Sequence, residues 1–391
     1  MTISVPSAES PFAVRSASPT TLGSSLAAMG QERPVVFDEL MAAPVVLRHD
    51  DVSAALRNAS VFSTAFYGAP PMETAMIAQN GPEHMRQRRI YNRFFSPVAS
   101  ARYTDRVRAV AEKAVATLAG RTGADLVADL IAHYPMTVFL DLLGVPDELG
   151  DRGLDWVRAI VHMLGSPMNP ELVEPGQRAY HELRAYTDTL VDQDNPGDNL
   201  LGDVVRAHLE EGGFSIDAVT MAVISLLLGG FETTIQMLSS TLVSLLLNPA
   251  ALSTVRADHN RAADAIDEAF RWANPSAGLY RLVLEDTPLA GLDLAKGSMV
   301  YLSIASAHYD ASVHRDPDVF DLDRHAAHLG FGLGPHFCAG APLARIEVRA
   351  AVTALLDTFP NLRLDPANPP VFHYGARGFV QHGTETLHVL M

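Results

Sequence analysis

The chain has 391 residues and carries 29 basic against 45 acidic side chains, which gives a net charge of −16 with histidine neutral. Hydrophobic residues make up 48% of the sequence and charged residues 19%, so a large core can be buried and a disordered chain is excluded. The acidic balance argues against nucleic acid or an anionic membrane surface as the main partner, because phosphate groups bind clustered Lys and Arg.

The predicted elements follow one another without a linker or a repeat. Residues 1–30 are rich in Ser, Ala and Pro and lack an apolar signal segment, so we expect a flexible arm there and a single domain over 31–391. Helical spacing of apolar residues predicts helices over 105–118, 131–143, 180–191, 214–247, 261–272 and 343–359. Short runs of strand-forming residues predict strands at 45–47, 282–284, 299–304 and 387–390.

These elements predict the fold class, which is one large, mainly α domain with small β-sheets (α+β). The most apolar run, residues 219–228, has about half of the roughly 20 residues that a membrane-spanning helix needs. We therefore expect a soluble, cytoplasmic protein, and we expect it to be a monomer.

Cys338 is the only cysteine, which excludes an intramolecular disulfide and any metal site built from several thiolates. It lies in the segment FGLGPHFCAG, residues 331–340, whose three glycines and proline predict a tight loop that approaches a ligand closely. A predicted helix follows, so the thiol sits at a helix N-terminus, where free N–H groups favour a thiolate. An inert buried cysteine is the alternative, but it does not explain the glycines and the histidine of the loop.

A second unusual segment, GGFETT over residues 229–234, lies inside the longest predicted helix. Two glycines inside a helix cost roughly 1 kcal/mol each relative to alanine, so a packing or functional reason is expected. Glu232 is costly to bury without a partner, and Thr233 can turn its hydroxyl to the carbonyl of Gly229 and bend the helix. The alternative is a polar patch where a long helix reaches the surface.

The two segments resemble the signature motifs of the cytochrome P450 superfamily. Residues 331–340 match Phe-Gly-x-Gly-x-His-x-Cys-x-Gly at all six anchor positions, and residues 229–233 match the distal-helix pattern small-Gly-x-acid-Thr. Other landmarks of the family follow in the same order across residues 80–350. The resemblance implies the P450 fold, in which haem b is sandwiched between a long distal helix and the helix after the proximal cysteine loop.

By this resemblance, Cys338 is the axial thiolate ligand of the haem iron. Glu232 and Thr233 are catalytic, because Thr233 hydrogen-bonds the oxygen species that is being activated and Glu232 helps to relay protons. For the cationic residues implied to hold the haem propionates, a solvated surface charge is the alternative. The implied cofactor-binding residues are His84, Arg88, Gly229, Arg281, Phe331, Gly332, His336, Cys338 and Gly340.

Glu268 and Arg271, at positions i and i+3 of a predicted helix, resemble the family's structural Glu-x-x-Arg pair. Taken alone, such a pair is usually a surface ion pair. The Arg that normally joins it from a later loop is replaced by Val319, so Arg315 or Arg324 is expected to stand in.

The resemblance also places a substrate pocket, whose segments are filled mostly by apolar residues. They predict an uncharged, hydrophobic small molecule, with small Ala277 and Gly278 leaving room near the iron, although each residue could also be ordinary core. The implied pocket residues are Phe66, Tyr67, Met72, Ile77, Met163, Ser276, Ala277, Leu279, Phe379 and Val380.

A helix over residues 82–94 would place Arg86, Arg89 and Arg93 on the side opposite to the haem-facing residues. These three positive charges, joined by Arg345, predict a docking patch for an acidic ferredoxin. Scattered, solvated arginines are the alternative.

The function implied by the resemblance is that of a haem-thiolate monooxygenase of secondary metabolism, which uses dioxygen to hydroxylate, epoxidise or dealkylate its substrate. No flavin or nicotinamide domain is attached, so electrons are expected from a separate ferredoxin and ferredoxin reductase, with NAD(P)H as the ultimate donor. Two alternatives stay open, a P450-fold peroxygenase or non-oxygenating enzyme and a haem-binding sensor without turnover. The intact acid–Thr pair argues against both, since neither needs it.

Overall fold

A computed structural model of the chain describes residues 4–13, 18–68, 71–145, 150–165, 170–212, 214–325, 327–374 and 382–391. The protein is mainly α with small sheets, as the sequence predicts. The helices are α1 (Thr21–Glu32), α2 (His49–Arg57), α3 (Gly81–Phe95), α4 (Pro97–Ala101), α5 (Thr104–Ala116), α6 (Tyr134–Leu143), α7 (Gly150–Gly165), α8 (Pro170–Leu190), α9 (Leu200–Glu210), α10 (Ile216–Gly230), α11 (Glu232–Leu247), α12 (Pro249–Ala257), α13 (Ala262–Trp272), α14 (Ile304–His308) and α15 (Ala341–Thr358).

The strands form one six-stranded sheet and three smaller ones within the described residues. The strands are β1 (Ser4–Val5), β2 (Val35–Asp38), β3 (Ala43–Val46), β4 (Phe62–Ser63), β5 (Gly123–Asp125), β6 (Leu279–Val283), β7 (Thr287–Leu289), β8 (Leu292–Leu294), β9 (Met299–Leu302), β10 (Arg363–Leu364), β11 (Val371–Tyr374), β12 (His382–Thr386) and β13 (His388–Leu390). The strand orders are β1-β2-β3-β9-β6-β4, β10-β13-β5, β11-β12 and β7-β8.

The N-terminal segment corrects the prediction of a flexible arm over residues 1–30. Strand β1 pairs with β2 in parallel, and helix α1 buries Leu22 and Leu26, each only 1% exposed. Gly23 lets α1 approach α14 closely, because a Cβ there would overlap the ring of Tyr309. The leucines and Gly23 therefore pack this segment onto the domain, while residues 1–3 and 14–17 lie outside the described residues.

The core is built around α11, which packs against α13, α15 and strand β12. The stretch Ile216–Leu247 is apolar and long enough to cross a membrane by composition, but 67% of its most apolar window is buried inside the protein, as in a core helix. The sequence predicts one helix here, whereas the structure has two. Phe231, with φ −89° and ψ −71°, separates α10 from α11.

The six-stranded sheet joins distant parts of the chain beside the cysteine loop. Strand β6, which carries Arg281, pairs with β9 on one side and with β4 on the other. Strand β4 leads into the 3₁₀ turn Ala65–Gly68, which precedes α3. The sheet thereby brings residues near positions 64, 84 and 281 into one region.

Candidate functional site

The cysteine loop follows a backbone path that requires glycine at two positions. Gly332 and Gly334 have φ of 73° and 74°, in the left-handed region that L-residues with side chains avoid. A Cβ on Gly334 would also come within 2.9 Å of the backbone of Leu56 and Arg57 at the end of α2. The N–H of Cys338 donates to the carbonyl of Phe331 at 2.9 Å and closes the loop.

The Cys338 side chain is accessible to solvent. Partial desolvation by nearby protein atoms raises the pKa of the Cys338 thiol, while the N–H groups of Gly340 and Ala341 at the start of α15 and the charges of Arg88 and Arg345 act in the opposite direction. The helix N-terminus and two guanidinium groups suit a thiolate there.

An aromatic stack supports the loop from the protein side. The Phe331 and Phe270 rings stack with centroids 4.5 Å apart, and the Arg345 guanidinium lies 4.4 Å from the Phe331 centroid. Arg345 also donates through Nε to Asp267 Oδ1 at 2.8 Å. Arg345 is therefore a partly buried, paired residue and not a free surface charge.

The interrupted helix places Thr233 as the bent-helix prediction requires. The Thr233 hydroxyl donates to the carbonyl of Gly229, and the side chain is exposed although its neighbours Glu232 and Thr234 are buried. Glycine occurs at positions 229 and 230 for different reasons. A Cβ on Gly230 would overlap the ring of Phe139, whereas a Cβ on Gly229 would meet no atom within 4 Å.

Glu232, the first residue of α11, is 7% exposed. Its Oε1 accepts a hydrogen bond of 3.2 Å from Gln236 Nε2, one helical turn further on. Among the described residues, no cationic side chain forms an ion pair with this carboxyl group. Gln236 is not among the residues predicted from the sequence, although its i+4 spacing from Glu232 was a usable signal.

The predicted propionate residues lie together. The rings of His84 and His336 are 4.2 Å apart, Arg88 NH1 donates to the carbonyl of Phe337 beside the thiol, and Arg281 is only 3% exposed in β6. Burial, His84, Arg281 and Arg88 lower the pKa of His336 to about 3. In the described part of the chain, neither Arg88 nor Arg281 has an acidic partner, so this basic cluster suits a ligand that brings its own carboxylates.

Polar side chains that the sequence did not reveal orient His336. Its Nε2 lies 3.4 Å from Thr64 Oγ1 and 3.3 Å from Asn80 Oδ1. Thr64 follows β4 and Asn80 precedes α3, so their convergence on His336 depends on the tertiary fold.

The Glu268–Arg271 pair is buried and its third member is Arg324. Arg271 donates to both carboxylate oxygens of Glu268 at 2.8 and 2.9 Å, and Arg324 Nε donates to Glu268 Oε1 at 3.0 Å. Both guanidinium groups also bond the carbonyl of Val319. Of the two predicted stand-ins, Arg315 is excluded, because its side chain is 94% exposed and pairs with Asp316.

The predicted pocket residues differ in their burial. Met72, Met163 and Ala277 are buried in hydrophobic core clusters. Gly278 packs closely on Tyr301, whose ring a Cβ there would overlap. Tyr67 is also buried, Phe66, Ser276 and Leu279 are half-buried, Ile77 is exposed, and Phe379 and Val380 lie outside the described residues.

The predicted triple-Arg patch is neutralised, which corrects the expectation of three free charges. Arg86 pairs with Glu83, whose pKa it lowers to about 2. Two further acids, at the end of α9, face the other arginines. The ion pairs are Arg93 with Glu210, Arg93 with Glu211 and Arg89 with Glu211. The positive charges of α3 are therefore compensated by acids that only the tertiary fold brings near.

Comparison with known proteins decides the family. The model of the family "Cytochrome P450" matches residues 25–265 and 262–388. The chain belongs to the cytochrome P450 family. It is 38% identical over 386 residues to a C-19 steroid 1alpha-hydroxylase of Sorangium cellulosum, covering 97% of this chain and 98% of the relative. It is 30% identical to an erythromycin C-12 hydroxylase of Saccharopolyspora erythraea, covering 91% of each.

Solved structures of other P450s share the fold. Cytochrome P450 260B1 of Sorangium cellulosum matches with a TM-score of 0.93 and 35% identity, covering 100% of this chain and 99% of that one. A Bacillus megaterium P450 in complex with testosterone matches with a TM-score of 0.85 and 28% identity, covering 95% and 98%. This P450 is a monooxygenase whose cofactor is haem with a cysteine thiolate ligand, and Cys338 is its only cysteine.

The side chains at this site have the chemistry that haem binding needs. The accessible Cys338 sulfur lies at a helix N-terminus, and the charges of Arg88 and Arg281, which have no acidic partner among the described residues, match two propionate carboxylates, with the rings of His84 and His336 beside them. Gly340, next to the thiol, resembles Gly229 in that a Cβ there would meet no atom within 4 Å.

Proposed function

We propose that this P450 oxygenates a rigid, apolar molecule of steroid size, with electrons delivered by a ferredoxin in the cytoplasm. The oxygenase part rests on the exposed Thr233 hydroxyl, which Gly229 orients, on an element whose neighbouring side chains are buried. The substrate class rests on relatives. One is named a C-19 steroid 1alpha-hydroxylase, and another was solved with testosterone.

The proposed cofactor contacts are of two kinds. When bound, haem supplies the electron transfer and oxygen activation. Cys338 would ligate its iron, and Arg88, Arg281, His84 and His336 would hold the two propionates. The protein supplies position and charge compensation, because the charges of Arg88 and Arg281 remain unbalanced without a ligand carboxylate.

Proton delivery is the proposed task of Thr233 and Glu232. Because the Thr233 hydroxyl hydrogen is donated to Gly229, its oxygen lone pairs remain free to accept a hydrogen bond in the site. Glu232 adjoins it in sequence, and its buried carboxyl group can carry one proton at a time from solvent toward the site. The surrounding buried helix excludes bulk water, so protons enter through these side chains.

The proposed docking surface for the ferredoxin is the proximal face beside the cysteine loop. Phe337, adjacent to the ligand cysteine, is 38% exposed. Arg57 at the end of α2 is exposed, its backbone packs against Gly334 of this loop, and it has no acidic partner among the described residues. An exposed aromatic residue near a free cation suits an acidic partner. The compensated arginines of α3 are not needed.

A ligand titration and a turnover assay test the proposal. C-19 steroids, including testosterone, should shift the Soret band of the holoenzyme at low concentration, and a ferredoxin with its reductase should give a hydroxylated product. Erythromycin-type macrolides serve as the comparison ligands. A Soret shift and turnover with macrolides but with no steroid would reject the steroid class, while leaving the monooxygenase chemistry in place.

A further inference from the structure

Gln236 is the one described side chain that holds the Glu232 carboxyl group. It lies 3% exposed in the core, and its Nε2 donates to Glu232 Oε1 at 3.2 Å. Its own Oε1 is buried without a partner. In a buried amide, both the oxygen and the NH₂ group normally form hydrogen bonds. The unpaired oxygen of Gln236 costs stability, so the presence of an amide at this position requires a reason.

Gly383 of strand β12 packs directly against the Gln236 amide. A Cβ on Gly383 would overlap Gln236 Oε1 and would lie 2.8 Å from its Cδ. Any residue larger than glycine at this position must therefore displace the Gln236 side chain. Gly383 lies far from α11 in sequence, and its closeness follows from the packing of β12 on α11.

A neutral amide suits a carboxyl group that must take up and release protons. An Arg or Lys partner would hold the carboxylate in its ionised form, whereas an amide N–H fixes the orientation of Oε1 at a smaller electrostatic bias. The hydrogen bond occupies one oxygen and leaves Oε2 for proton transfer. Each proton that Glu232 releases into the site is then replaced from solvent, so the carboxyl group is regenerated in each cycle.

We propose that Gln236, kept in place by Gly383, is a positioning residue that orients Glu232 for proton delivery. This inference rests on the proposed role of Glu232. Gln236 contacts neither substrate nor cofactor in the proposed arrangement, so its effect should appear in proton-dependent steps and not in ligand binding.

The first test is Gln236→Leu in the holoenzyme. We expect the fraction of consumed oxygen that ends in product to fall roughly fivefold, as for the loss of one orienting hydrogen bond, with a larger solvent isotope effect on turnover. The reduced carbon monoxide spectrum and the substrate-induced Soret shift should stay unchanged. Ser239→Ala is the matched control, because it removes another unpartnered buried oxygen from α11 without touching Glu232.

Gly383→Ala approaches the same contact from the other element. It should reproduce the loss of coupling, because the new Cβ displaces the amide. In a Gln236→Ala background the added methyl has room, so Gly383→Ala should then cause no further loss. An equal loss in both backgrounds would show that Gly383 acts through the strand and not through Gln236.

A double-mutant cycle separates this inference from the proposed function. If Gln236 acts through the carboxyl group, Gln236→Leu should add little in a Glu232→Gln background. The same fivefold loss in that background, with Glu232→Gln itself impaired, would overturn the positioning role. A Glu232→Gln variant with wild-type coupling would instead reject the proposed role of Glu232, and with it the inference.

Discussion

At the scale of single residues, Cys338 and Thr233 are both exposed, but in different surroundings. Thr233 is exposed on helix α11, whose other residues are mostly buried, whereas Cys338 is exposed in a loop that is itself largely exposed or half-buried. Their chemistry differs, because Cys338 can supply a thiolate and Thr233 an oriented hydroxyl oxygen.

Replacing Cys338 by Ala should abolish the thiolate-type Soret band of the reduced carbon monoxide complex. No other thiol exists in the chain to take its place. The measurement is the difference spectrum between the reduced carbon monoxide complex and the reduced protein for the purified variant. The haem content is determined separately. A variant that keeps the thiolate band would contradict the assignment of the ligand.

Thr233→Ala should uncouple oxygen consumption from product formation and release hydrogen peroxide, while substrate binding stays intact. The reason is the loss of the hydroxyl oxygen that accepts a hydrogen bond in the site. We expect the product yield per oxygen to fall by roughly tenfold or more, as for a positioned proton-transfer group. Thr234→Ala, which changes the buried neighbour, is the control and should keep its coupling.

His314 predicts how stability depends on pH. Its ring is 1% exposed with both nitrogens unpartnered, and burial followed by Arg271, His49 and Arg324 lowers its pKa from 6.5 to about 4, with Asp310 opposing. Because the unfolded state then binds the proton first, stability should fall as the pH drops below about 6.5 and should level off near pH 4. The difference of about 2.5 units corresponds to about 3 kcal/mol.

His314→Phe should therefore flatten the acid side of the stability profile. The measurement is the thermal midpoint of the holoenzyme between about pH 7.5 and pH 5, compared with a variant of the half-exposed His259. If the wild type and His314→Phe lost stability in parallel on acidification, the buried imidazole would not be the cause.

At the scale of elements, the buried Glu268–Arg271–Arg324 network connects α13 to the loop that leads toward the cysteine. Arg271 reaches the carbonyls of His308 and Val319, and the N–H of Asp321 donates to Glu268. The network satisfies the carbonyl of His308 at the C-terminal end of α14 and backbone groups of residues 319–321, which lie outside helices and strands. A buried ion pair of this kind specifies the path of the loop.

Arg324→Ala should destabilise the holoenzyme by about 1.5–3 kcal/mol, because it removes the charge-assisted hydrogen bonds from Arg324 to Glu268 and to the carbonyls of Asp316 and Val319. Arg315→Ala is the matched control at the exposed candidate and should change stability by less than about 0.5 kcal/mol. Thermal unfolding followed by the Soret band measures both. Equal midpoints for the two variants would remove Arg324 from the network.

At the scale of the whole molecule, a net charge of −16 makes local positive surface important for an acidic partner. The face of α3 that carries Arg86, Arg89 and Arg93 is compensated by glutamates, whereas Arg57, whose backbone packs against the cysteine loop, has no acidic partner among the described residues. Long-range attraction of a ferredoxin should therefore depend more on Arg57 than on the α3 arginines.

Arg57→Glu should raise the half-saturating ferredoxin concentration and flatten its dependence on salt, while the substrate-induced Soret shift stays unchanged. The matched control is Arg89→Glu, which changes the charge by the same amount on α3. The readout is the rate of ferredoxin-dependent reduction at several ionic strengths. If the α3 variant lost more ferredoxin-dependent reduction, the docking site would lie on α3 and not beside the cysteine loop.

The sequence by itself determined what depends on spacing along the chain. Residues 331–340 and 229–233 were enough to predict the family, the ligand cysteine and the acid–Thr pair. Each motif lies within ten consecutive residues, and its glycines and helix bend are local requirements of backbone geometry. The replacement at Val319 was also visible, and it narrowed the missing partner to two arginines.

Only the tertiary structure decided the features that depend on distant segments. In the folded chain, Arg324 and not Arg315 binds Glu268, and Gly383 lies against Gln236. Glutamates at the end of α9 pair with arginines of α3, and the N-terminal segment that was expected to be a flexible arm forms a packed helix. Burial and charge compensation are set by neighbours in space, and residues far apart in the chain become neighbours only when the chain folds.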